Sequence, residues 1–132
     1  MKDTPLFKQT VILLLTIAVL DLTAFVFYLH WTVWWFDVLL HFLSGSCVAM
    51  ATVMFWNHFR GASQTSRLKM IFIALLGTII IGFLWEAYEL LLSATSFSDG
   101  IAYIKDTIYD LVMDISGGFF GALYAYKLIV NE

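Results

Sequence analysis

Four apolar runs of about twenty residues each, separated by short polar links, constrain this chain more than any other feature. They cover residues 7–29, 33–56, 70–92 and 106–130. A helix of that length crosses the hydrocarbon core of a bilayer, and backbone polar groups in lipid must be satisfied within the helix itself. Of 132 residues, 61% are hydrophobic and 13% charged, too apolar for a soluble domain of this size. The expected fold is therefore an all-α membrane protein. It is a single domain over residues 1–132, a four-transmembrane-helix antiparallel bundle. The apolar core of the first run, residues 11–20, is short enough to imitate a signal peptide. No small-x-small cleavage pattern follows it, so it reads as a retained helix. Cys47 is the lone cysteine, which excludes an intramolecular disulfide.

Orientation follows from the basic residues. With four crossings, the N-terminus, the polar link 57–69 and the C-terminus share one side. Lys2, Lys8, Arg60, Arg67, Lys69 and Lys127 fall there, and Lys105 alone falls opposite. The positive-inside rule then puts both termini in the cytoplasm, in the plasma (inner) membrane. Trp31, Trp34 and Trp35 mark one membrane interface and Trp56 the other. These few basic residues form no stripe, which argues against a nucleic-acid partner.

Acids inside the runs are the second constraint, because an intramembrane carboxylate needs compensation. At about 1.5 Å of rise per residue, Asp21, Asp37, His41, Glu86, Glu89, Asp110 and Asp114 all come within roughly 12 Å of the outward end. Asp37 and His41 are an i, i+4 pair and Glu86 and Glu89 an i, i+3 pair, so each pair shares a helix face. Small residues continue the same stripes inward: Gly45 below His41, Gly82 and Thr78 below Glu86, Gly117 and Gly121 below Asp114. Such stripes let membrane helices approach closely, which turns the acids toward the bundle interior.

Asp21, Asp37, Glu86, Glu89, Asp110 and Asp114 meet one histidine at that depth and no lysine or arginine. Like charges packed together need a proton or a cation between them. An oxygen-rich set with one imidazole suits Mg, Mn, Fe or a catalytic Zn better than a structural zinc. Inward carboxylates and an imidazole on several helices also describe di-metal carboxylate bundles, although their Glu-x-x-His spacing is not found here. The expected metal ligands are Asp37, His41, Glu86, Glu89, Asp110 and Asp114. Set against this, the same acids can form a purely structural polar network, and His41 alone can be a satisfied buried histidine. Asp106 reads as an N-cap of the fourth run. Asp21 reads equally as a protonated acid bonded to a neighbouring helix. The glycines at 117, 118 and 121 read as helix packing.

Three stretches carry a resemblance: residues 36–45 (FDVLLHFLSG), 82–89 (GFLWEAYE) and 106–118 (DTIYDLVMDISGG). Their pattern, D-x-x-x-H-F, W-E-x-x-E and D-T-x-x-D-x-x-x-D-x-x-G, resembles that of small prokaryotic membrane proteins of the YjdF type, grouped loosely with VanZ-like proteins. The likeness covers the second to fourth runs and not the first. Larger members carry further helices ahead of this core. The resemblance implies an integral membrane protein with Asp37, His41, Glu86, Glu89, Asp110 and Asp114 as its polar centre, and it brings no activity with it.

Two function classes follow. In the first, an outward-facing site holds divalent metal and acts as a hydrolase or transferase on a lipid-linked or phosphate-containing substrate. Glu86 or Asp114 would be the general base on a metal-bound water. The link 93–105 would cover the mouth, with Lys105 placed to meet a phosphate. In the second, the acids hold cations or protons without catalysis, or simply pack a scaffold. Transport is the weaker form, because the inner half offers few polar groups without oligomerisation. Membrane lipids, a lipid-linked substrate and a second copy of the chain are the partners this composition admits.

Overall fold

A computed structural model describes residues 4–60, 65–92 and 96–130. Lys2 and the middles of the two longer links, at 61–64 and 93–95, lie outside the described residues. Helix α1 (Pro5–Val26) starts where the Thr4 hydroxyl accepts the Phe7 N–H at 3.3 Å, with proline in the first turn, where its missing N–H costs nothing. Past its end at Val26, Tyr28, with a left-handed backbone (φ 56°), turns the chain into a one-turn helix, α2 (Leu29–Thr32). Helix α3 (Trp34–Arg60) follows at once. Ser66 caps α4 (Arg67–Leu91) by accepting the Lys69 N–H at 3.4 Å. A 3-10 turn over Phe97–Asp99 and Gly100, at φ 60°, lead into α5 (Ile101–Val130). No strand occurs among the described residues.

Helices α1, α3 and α4 are long and apolar enough to cross a membrane. Helix α5 is long enough but is not among them. Its acids, tyrosines and glycines dilute its hydropathy, and they are tolerated because much of that face is buried against the other helices. Two expectations about its start are corrected. Gly100 supplies the turn, and the helix begins at Ile101, so Asp106 lies inside the helix instead of capping it. Lys105 is likewise a helical residue, not part of a covering loop.

Successive long helices run antiparallel, yet the tightest pairing in the bundle is the parallel one between α3 and α5. Glycine explains it. A Cβ at Gly45 would strike the Asp114 carbonyl, one at Gly117 the Phe42 carbonyl, and one at Gly121 the Ser46 carbonyl. Backbone therefore rests on backbone along the seam, and the Ser46 hydroxyl crosses it to donate to the Gly117 carbonyl at 2.9 Å. Helix α4 packs antiparallel along α5, where Thr78 fits over Gly118. Helix α1 leans on α3. Below the seam, Leu6, Ala49, Met50, Val53, Met70, Ala74, Ala122 and Ala125 form the apolar core of one end. At that end the Trp56 indole donates to the Thr65 hydroxyl at 3.0 Å, whereas Trp34 stands exposed at the other end.

Candidate metal centre

The α3–α5 seam decides where the acids meet. Because the two helices run in parallel with glycine at the contact, the first turns of α3 and the third and fourth turns of α5 lie side by side above it. Asp37 and His41 project from one, Asp110 and Asp114 from the other. One ligand atom each from Asp37, His41 and Asp110 falls within 4.8 Å of the others. His41 Nε2 is 3.7 Å from Asp110 Oδ1 and 4.0 Å from Asp37 Oδ2. Its other nitrogen, Nδ1, is 3.5 Å from Asp114 Oδ1. Two ligands about 2.1 Å from a tetrahedral ion stand about 3.4 Å apart, so small side-chain rotations would bring the first three onto one cation.

Burial sets the electrostatics. His41, Asp110 and Asp114 are 7%, 3% and 6% exposed. Asp37 is half-buried. Three carboxylates thus surround one imidazole, which even when protonated offsets only one of them. The remaining negative charge calls for protons or a cation, since unpaired buried charge is expensive. Room for Asp114 comes from α4, where a Cβ on Gly82 would sit 2.8 Å from its Oδ2.

Glu86 and Glu89, expected to join as a pair, diverge. Glu86 is buried and turned toward α5, where it accepts the Thr107 hydroxyl at 2.6 Å. Glu89 faces a different space and accepts the Trp85 indole N–H at 2.9 Å. An i, i+3 pair is offset by about 60° around a helix, enough to aim the two side chains at different neighbours. Asp21 is half-exposed and stands apart from the three-residue cluster.

The residue missing from the sequence reading is His30. From α2 it places Nδ1 2.9 Å from Asp37 Oδ1 and Nε2 3.4 Å from Asp21 Oδ1. The centre therefore holds two histidines, not one. A signal was there: a hairpin that returns between Asp21 and Asp37 must place its turn residues between them.

A family model described as "Predicted membrane protein (DUF2238)" matches residues 2–131. No curated protein and no solved structure matches the chain. Apolar helices of membrane-crossing length agree with that description, and the chain belongs to the DUF2238 family of predicted membrane proteins.

Proposed function

We propose that this protein is an integral membrane metalloprotein that binds a divalent cation through Asp37, His41 and Asp110. We further propose that it acts as a hydrolase or transferase on a phosphate-containing, lipid-linked group. The observation that carries the reading is the convergence of those three ligand atoms within 4.8 Å, at the end of the bundle opposite its main apolar core. Asp114 is the preferred base. It lies beside the cluster, and its Oδ2 faces the gap left by Gly82. A carboxylate there could take a proton from an attacking water, and a divalent cation held by Asp37, His41 and Asp110 would supply charge stabilisation for the phosphoryl group. Glu86 is the second candidate, already engaged by Thr107. The distribution of basic residues supports a site that faces the extracytoplasmic side, with α5 as a fourth crossing.

A non-enzymatic, proton-holding network is the second reading. It is favoured by His41, both of whose nitrogens already face carboxylates, as a protonated imidazole would. Elemental analysis of the detergent-purified protein beside Asp110→Asn and His41→Ala separates the two. Near-stoichiometric divalent metal, lost in both variants, is the expected result. No metal in the parent protein, even after reloading, would reject the metal reading in favour of the protonated network.

A further inference from the structure

A cleft of about 360 Å³ lies beside the metal centre, within the roughly 300–1,000 Å³ typical of small-molecule sites. Helices α1 and α4 stand on either side of it, each packed on α3. Its lining runs from Asp37 to Val48 on α3 and from Thr78 to Glu89 on α4, roughly 16 Å at 1.5 Å per residue. That is close to one leaflet, half of a hydrocarbon core about 30 Å thick.

The lining is polarised along that length. Leu14, Ile17, Val48 and Ile81 dominate the deeper part, beside Cys47 and Thr78, and Asp21, His30, Asp37 and Glu89 gather at the other end. A groove one leaflet deep, apolar below and polar above, has the profile of a lipid. Charge then selects the headgroup. Asp21, Asp37, Glu89 and Asp114 line the cleft with no lysine or arginine. Beyond the two histidines of the lining and a cation at the neighbouring cluster, a purely anionic headgroup would find nothing to offset these acids. An ammonium group would meet Asp21 and Glu89, both outside the three-residue metal cluster; His30 reaches one oxygen of Asp21, and Trp85 donates to one oxygen of Glu89.

We infer that this cleft binds one acyl chain of an ammonium-bearing lipid, with the headgroup amine between Asp21 and Glu89. The inference names the substrate class of the proposed enzyme and rests on that reading for the chemistry, though not for the binding. In this arrangement the amine is held at the mouth and the phosphate falls on the Asp37–His41 side, next to the cation.

The test is native mass spectrometry of the full chain in detergent, offered an equimolar mixture of phosphatidylethanolamine and phosphatidylglycerol with identical chains. The parent protein should retain one phosphatidylethanolamine with about tenfold preference, the scale of a hydrogen bond to a charged group. Ile17→Trp, which fills the apolar part, should abolish retention of both lipids. The double variant Asp21→Asn, Glu89→Gln should keep retention and lose the preference. Equal retention of the two lipids by the parent protein would overturn the inference. So would a preference that survives the double variant. Metal content read on the same samples keeps the two readings apart. Preference without metal supports this inference and rejects the metalloprotein; metal without preference does the reverse.

Discussion

His30 Nδ1 lies 2.9 Å from Asp37 Oδ1, which ties the turn between the first two membrane helices to the α3 edge of the candidate metal centre. Groups that hold a ligating carboxylate in place typically contribute 10–100-fold to metal affinity. His30→Ala should therefore weaken Mn²⁺ binding by roughly 10–100-fold without changing its stoichiometry. Electron paramagnetic resonance of free Mn²⁺ during a titration measures this, and an unchanged affinity would remove His30 from the centre.

The α3–α5 seam predicts an ordering of stability losses. Gly117→Ala drives a methyl group into the Phe42 carbonyl, and backbone cannot rotate away as a side chain can. It should cost about 1–3 kcal/mol or more. Ser46→Ala removes one interhelical hydrogen bond and should cost about 0.6 kcal/mol, the average for such bonds in a membrane protein. Thermal unfolding in detergent should show a much larger fall in Tm for the first variant; the opposite order would mean that the seam is not held by close backbone contact.

Thr107→Val takes the hydroxyl donor from buried Glu86. A buried acceptor left without its partner costs about 1–3 kcal/mol, so Tm should fall although the shape is conserved. Glu86→Gln together with Thr107→Val should show an interaction energy in a double-mutant cycle. Strict additivity would show that the contact has no energetic role.

Topology is open to direct labelling, with Cys47 buried and so quiet toward the reagent. Ser98 and Ser66 are both exposed and lie on opposite sides in the four-crossing arrangement. A membrane-impermeant maleimide added to intact cells should label Ser98→Cys and leave Ser66→Cys unlabelled until the cells are opened. The reverse pattern would invert the site toward the cytoplasm.

Spacing alone was enough to bring Asp37, His41, Asp110 and Asp114 to one depth, because helical rise converts residue number into height. The glycine stripes were legible for the same reason, and Gly45, Gly117 and Gly121 do lie at close helix contacts. Azimuth was harder. Depth and face do not say which neighbour a face meets, so the separate destinations of Glu86 and Glu89 were hidden until the packing of α4 against α5 fixed them. The parallel α3–α5 pairing was hidden too, since short links suggest only that successive helices are neighbours. His30 escaped notice because it lies between runs, where a polar residue looks like solvated turn. Asp106 misled in the opposite way: an acid ahead of an apolar run resembles a cap, and nothing in Ile101–Lys105 announces that the helix has already begun.

Gly45, Gly117 and Gly121 also limit how the protein can move. With carbonyls seated where side chains would otherwise be, α3 and α5 cannot slide past each other without losing the fit at every step of the seam. The two helices form a chassis, and Asp37, His41, Asp110 and Asp114 are mounted on it. Any cycle of opening and closing has to be carried by the helices around that frame. Among the long helices α1 has the least holding it: at one end it is joined through the left-handed turn at Tyr28 and the nearby bridge from Asp21 to His30, and at the other Leu6 packs into the apolar core. Any opening of the cleft would therefore fall to the outer helices, because moving them leaves the α3–α5 contacts intact.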